Sequence, residues 1–343
     1  MFIMDPYRYA SAGVQQYIAI GAGGTPYINI YPWNPGFGPR LANPATLPPS
    51  GGVRAVAFHP SGAAVATGNT STPYVTAYPF SSSGYGTKYS NPSTLPTGAG
   101  QGIAFSPAGT EIAVAHQASP FISAYPFDVV TGFGAKFANP ATLPTSSGKA
   151  VDFHPSGDYV AVSNDRSPFL QVYPWSSSGF GTKIANPASL PPGNSQGVKW
   201  SPDGNSIAVA SDTNPRCAAY PWIAGAFGTK FANPSSALGG GAFGVAFNPT
   251  SDVIAFATQT SPYIYAYAWS GAGFGTKYSD PATLPTGAGA AVAFSVDGAA
   301  VAIAHANPPY VSVYPFDVST GFGAKYSNPT TAVLTSGLAV AFL

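Results

Sequence analysis

The dipeptide Asn-Pro recurs along the chain with a nearly fixed period, and that period limits the fold more than any other feature. It stands at Asn43, Asn91, Asn139, Asn186, Asn233 and Asn328, and Asp280-Pro281 fills the remaining slot, with successive spacings of 48, 48, 47, 47, 47 and 48. Seven copies of such a unit mean one supersecondary element that buries its apolar face only by stacking on its neighbours.

Each unit contains four strand-like phrases. The first is small and apolar and ends in an aromatic, as in AVAF (55–58), AVDF (150–153) and GVKW (197–200). The second is typified by EIAVAH (111–116) and the third by PFLQVYPW (168–175), ending in Tyr-Pro-aromatic. The fourth is the phrase GFGTK-x-x-Asn. The runs are short, rich in Val, Ile, Tyr and Phe, and bounded by Gly, Pro, Asn or Ser, which is strand chemistry. Glycine and proline number 40 and 36 in 343 residues. With 45% hydrophobic and 14% aromatic residues the chain can still bury a core, so they act as punctuation.

Four strands in each of seven units predict an all-β chain folded as a seven-bladed β-propeller with four antiparallel strands per blade. The N-terminus supplies YIAIGA (17–22), PYINIYPW (26–33) and GPRLAN (38–43), which are strands two, three and four of a blade. The missing first strand is GLAVAFL (337–343) at the C-terminus, so this strand is expected to join the N-terminal blade and close the ring. The reading is a single propeller domain, residues 17–343, preceded by an N-terminal arm, residues 1–16. With Phe2, Ile3, Tyr7, Arg8 and Tyr9, that arm reads either as a disordered or self-packed tail or as an element that docks the propeller on a neighbouring protein.

Only 7% of residues are charged and the net charge is +1, so no basic face for nucleic acid is indicated. No apolar run approaches the roughly 18 residues of a membrane-spanning helix. Cys217 is the only cysteine, so no disulfide forms within the chain. Phosphate-loop, His-Glu metal-helix and Ser-His-Asp patterns are absent, and the reading includes no cofactor, metal or catalytic residue. His59 and His154 occupy one turn slot that holds Ser or Asn in other units, which is turn chemistry rather than metal ligation.

The units resemble WD40 and TolB-like propeller repeats, chiefly through SPDG (201–204) and its flanking strands, although the Gly-His and Trp-Asp signatures of WD40 blades are absent. The fuller phrase, YPW followed by GFGTK-x-ANPATLP, is similar to repeats of bacteriophage virion-associated propellers. That resemblance implies a non-enzymatic virion protein, decorating the particle or aiding host attachment. Its partners would be other virion proteins or host surface molecules, glycans among them. The alternatives are a secreted or cell-surface sugar-binding propeller and a cellular protein-interaction scaffold.

Arg40, Lys88, Lys136, Lys183, Lys230, Lys277 and Lys325 share one register. They read either as a ring of cations or, preferably, as charges that protect an outer strand edge from pairing. The Tyr-Pro-aromatic corners read as inter-blade packing in preference to sugar stacking. Asp152 and Lys199 occupy one slot of the first strand in consecutive blades, where the other blades have alanine, and are expected to form a structural ion pair in the channel. The links between strands two and three vary most. Asn164, Asp165, Arg166, Asp212, Asn214 and Arg216 form their densest polar patch, read either as solvated loop or as the place where a ligand or partner binds.

Overall fold

The computed structural model describes residues 15–343; the expected arm falls almost wholly on residues 1–14, outside the described residues. Seven antiparallel sheets stand around a central channel, and no helix is present among the described residues. Blade 1 contains Gln16–Ala22 and Ile28–Trp33, and Gly337–Phe342 pairs antiparallel to the first of these. Blades 2 to 7 follow in order, with innermost strands Val53–Phe58, Gly100–Phe105, Gly148–Phe153, Ser195–Trp200, Ala242–Phe247 and Gly289–Phe294. The C-terminal strand closes the ring as the sequence predicts, with Ile18 opposite Phe342 and Ile20 opposite Val340.

Packing between blades follows from side-chain alternation. In blade 3, Ala113 and Ala115 face one neighbour while Ile112 and Val114 face the other. The alanine face receives Phe153, Tyr173 and Trp175 of blade 4. Trp175 meets Phe153, Phe180 and Phe137 edge-on at 5.4, 4.9 and 5.1 Å. Edge-to-face rings suit the aromatic quadrupole, and each such pair adds roughly 0.5–1.5 kcal/mol beyond its burial.

The tyrosine of the Tyr-Pro-aromatic corner also ties each blade to the link arriving from the one before. Tyr31, Tyr78, Tyr125, Tyr173, Tyr220, Tyr267 and Tyr314 donate their hydroxyls to the carbonyls of Thr331, Thr46, Thr94, Thr142, Ser189, Ser236 and Thr283, at 2.7–2.9 Å. Burial raises the pKa of these phenols, so they remain protonated donors.

Two expectations are corrected. The fourth strand is not the whole phrase GFGTK-x-x-Asn. In five blades only two residues pair, in blade 6 Gly273–Lys277 pairs, and in blade 1 a Trp33–Phe37 bridge stands in its place. The chain then crosses the proline of the third strand, where Gly86 donates to the Pro79 carbonyl and a Cβ at Gly86 would lie 2.8 Å from Pro79 Cβ. The lysines therefore protect no long edge. Lys88 Nζ donates to Asn91 Oδ1 at 2.6 Å and to the Tyr89 carbonyl at 3.0 Å, which fixes the turn into the next blade. Lys136, Lys183, Lys230 and Lys325 hold Asn139, Asn186, Asn233 and Asn328 in the same way, and Lys277 holds Asp280. In blade 1, Arg40 reaches Asn29 instead, at 2.9 Å.

Candidate functional site

The channel is bounded by the innermost strands, and its mouth on the blade-link face is built by a repeated irregularity. In blade 2, Val53 pairs with Asn69 and Ala55 with Gly68, so Arg54 is an extra residue opposite no partner. The same bulge recurs at Gln101, Lys149, Gln196, Phe243 and Ala290, and at Leu338 in the closing strand. A β-bulge locally re-aims a side chain out of the ladder. All seven bulged residues line one cavity of about 290 Å³.

Immediately inward the strands converge. A Cβ at Gly102 would lie 2.6 Å from Ala150 Cα, and one at Gly244 would lie 2.9 Å from Ala291 Cα, so larger residues there would force the blades apart. The bulged side chains thus stand at the rim of a closely packed ring of strands.

The ring is chemically uneven. Blades 2 to 5 present Arg54, Gln101, Lys149 and Gln196; blades 6, 7 and 1 present Phe243, Ala290 and Leu338. Arg54 is exposed and has no hydrogen bond or ion pair among the described residues. Lys149 Nζ lies 3.2 Å from Asp165 Oδ2. Burial opposes ionisation of Asp165, but neighbouring Ser146 and Lys149 outweigh it and hold the carboxyl below the usual range. Across the next blade, Asp212 Oδ2 accepts from Asn194 Nδ2 at 2.7 Å and Gln196 Nε2 at 3.5 Å, both neutral amides. Asp212 is exposed and has no ion pair among the described residues.

The polar patch picked out in the sequence is therefore divided. Asp165 and Asp212 lean toward the bulged ring, each bonded to one of its members. Arg166 and Asn214 are exposed at the loop tips. Asn164 is fully buried, bonded to Gln171 within its blade. Arg216 has a φ of 71° and donates Nη1 to the Leu238 carbonyl at 3.0 Å, bracing the following link. Sequence reasoning missed Arg54, Gln101, Lys149, Gln196 and Phe243. The available signal was that this single slot holds six different residue types across the seven units while the residues after it repeat.

At the opposite end of the channel Lys199 Nζ lies 2.8 Å from Asp152 Oδ1, and Asp152 Oδ2 accepts from the Trp200 backbone N–H at 2.9 Å. His59 and His154 reach across to the next blade, with Nε2 at 3.0 Å from the Gly109 carbonyl and 2.9 Å from that of Gly204. Burial lowers the pKa of both rings.

No family model and no curated protein matches the sequence. Solved structures do match its fold. A candidate 6-phosphogluconolactonase of Bacteroides uniformis is 14% identical, with 96% of this chain and 99% of that one covered and a TM-score of 0.76. A protein of Lactobacillus plantarum is 15% identical over 96% and 100%, with a TM-score of 0.75. The periplasmic gluconolactonase of Pseudomonas aeruginosa is 14% identical over 96% and 99%, with a TM-score of 0.73. At such identities the likeness is one of fold. It overturns the expectation of a non-enzymatic bacteriophage virion protein, because propellers that match this chain from end to end bear the names of enzymes. The resemblance to WD40 and bacteriophage repeats reduces to the shared seven-bladed ring.

Proposed function

We propose that the protein hydrolyses the lactone of a small sugar acid at the channel mouth. The observation that carries this reading is the ring of bulges. It gathers an unpartnered cation, two amides and a lysine around one cavity, with a carboxylate held beside it. A volume of about 290 Å³ is at the lower end of small-molecule sites, roughly 300–1,000 Å³, and suits a single sugar ring. The lactonase names of similar propellers support the choice of reaction class.

Lactone hydrolysis needs a base for water and a donor for the carbonyl oxygen. Asp212 is suited to the first role. Its carboxylate is oriented by Asn194 and Gln196 and is not neutralised by a cation, whereas Asp165 is neutralised by Lys149. Asp212 takes a proton as water oxygen bonds to the carbonyl carbon. The oxygen that gains charge accepts from the Gln196 amide, which stands beside Asp212, where a preorganised donor acts most strongly, while Arg54 across the mouth holds the anionic group of the substrate. The ring C–O bond then breaks and the departing alkoxide takes the proton back, leaving a hydroxyl and a carboxylate.

The test is acid release in a pH-stat from glucono-δ-lactone and its 6-phosphorylated form, corrected for spontaneous hydrolysis. Asp212→Asn is expected to lower kcat/KM on both lactones by about 10²-fold or more, and Arg54→Ala to lower it on the 6-phosphorylated lactone alone. A wild-type protein that adds nothing to the spontaneous rate on either lactone removes the reading.

A further inference from the structure

We propose that the mouth is divided into two subsites, and that Phe243 is a stacking platform for the apolar face of a pyranose sugar acid whose anionic group lies on the Arg54 side. The sugar-acid identity of the ligand rests on the function proposed above; the division of the mouth rests on the geometry of the ring.

Most aromatic rings among the described residues are committed to packing. The Tyr-Pro-aromatic corners and the ends of the innermost strands meet in dense edge-to-face contacts. Phe243 belongs to none of the seven core clusters and meets no other ring among the described residues. It is the bulged residue of blade 6 and lines the cavity, half-buried. An aromatic side chain that lines a polar cavity with no other ring against it can offer its π-face to a ligand.

Its neighbours fit a hydroxylated ring. A Cβ at Gly241 would lie 3.3 Å from Asp212 Cβ and 3.5 Å from Phe243 Cε2, so the carboxylate residue and the ring flank one point. A sugar lying on Phe243 would place C–H groups against the π-face and edge hydroxyls toward Asp212, an acceptor-only group. Leu338 and Ala290 continue the apolar side.

Ring order places the anion subsite across the mouth. Phe243 in blade 6 stands opposite the gap between Arg54 in blade 2 and Gln101 in blade 3. Lys149 in blade 4 flanks this side but is already paired with Asp165, which leaves Arg54 as the cation available to a ligand. A molecule with an apolar ring face at one end and a carboxylate or phosphate at the other spans the two sides.

Binding tests the division without reference to turnover. Calorimetric titration of the wild-type protein uses D-glucuronate, which has a pyranose ring and a carboxylate but no lactone. D-glucose and inorganic phosphate serve as probes of each side alone. Phe243→Ala is expected to weaken glucuronate about tenfold and leave phosphate unchanged. Phe243→Trp retains glucuronate binding, whereas Phe243→Leu, apolar but without a π-face, does not. Arg54→Ala weakens glucuronate and phosphate together and leaves glucose unchanged. Melting curves confirm that each variant is folded, as expected for side chains outside the core.

Glucuronate affinity that is indifferent to Phe243→Ala, or restored by Phe243→Leu, overturns the platform. No glucuronate binding by the wild type overturns both subsites. Glucuronate binding with the expected variant pattern, in a protein that hydrolyses no lactone, upholds the subsites while removing the proposed reaction.

Discussion

Acid should destabilise this propeller through two buried histidines that do not line the channel cavity. His116 and His305 end the second strands of blades 3 and 7 and are fully buried. Each ring places Nε2 3.0 Å from a serine hydroxyl on the third strand, Ser123 or Ser312. Nδ1 of His116 has no partner, and that of His305 has only Thr286 Oγ1 at 3.5 Å. Adding a proton there creates a buried charge with little to compensate it. Burial accordingly lowers both pKa values from 6.5 to about 4, outweighing backbone hydrogen bonding that favours the charged form.

A depressed histidine pKa means that the unfolded chain takes up protons before the folded one does. The stability contribution is complete above pH 6.5 and is lost as pH falls toward 4. At about 1.4 kcal/mol per pKa unit, with the folded rings half-protonated at pH 4, the pair together withdraws roughly 6 kcal/mol by that pH. For 343 residues unfolding with about 2 cal/mol/K per residue, that corresponds to roughly 8–10 °C in Tm. Asparagine occupies the equivalent position in blades 2 and 4, as Asn69 and Asn164, so His116→Asn/His305→Asn is a substitution that the fold already accepts. Scanning calorimetry from pH 7 to pH 4 should show Tm of the double variant falling less than that of the wild type by about this amount. Parallel Tm–pH curves for the two proteins would refute the reasoning.

Two further outcomes follow from contacts described above. Tyr125→Phe removes the hydroxyl that binds the Thr94 carbonyl and should cost about 1 kcal/mol in chemical denaturation, with Tyr173→Phe behaving alike because the bond repeats; a neutral result for both would show that the links are held by packing alone. Asp152→Ala removes the carboxylate that accepts from Lys199 and from the Trp200 N–H, and should cost about 1 kcal/mol or more in chemical denaturation; an unchanged midpoint argues against a structural role for the contact.

The ring was legible because repetition reports architecture directly. The Asn-Pro period gave the number of blades, and the first phrase displaced to 337–343 gave the closure. The fourth strand was overextended because GFGTK has strand composition, while the proline in the third strand removes the donor a long ladder requires. Lysine at the start of Lys-x-x-Asn-Pro looked like an edge charge because a hydrogen bond three residues along the chain has no hydrophobic signature. The mouth was hidden for a different reason. A bulge changes pairing by one residue, and the sequence period is unaffected because every blade contains the same bulge. Asp165 and Asp212 could be chosen for their polarity, but their neighbours Lys149 and Gln196 stand one residue outside the first-strand phrases AVDF and GVKW, where no repeat draws attention to them.

Sevenfold bulging also separates the inheritance of shape from that of selectivity. Each bulged side chain leaves its strand where no residue opposes it, while the ladder on either side continues unchanged. The same site already accepts arginine, glutamine, lysine, phenylalanine, alanine and leucine within one molecule. The mouth is in effect a seven-character code written on a fixed frame, each character supplied by a separate copy of one ancestral phrase. Changing a character asks nothing of the other six blades, so a lineage or a designer can explore ligands one position at a time without rebuilding the ring.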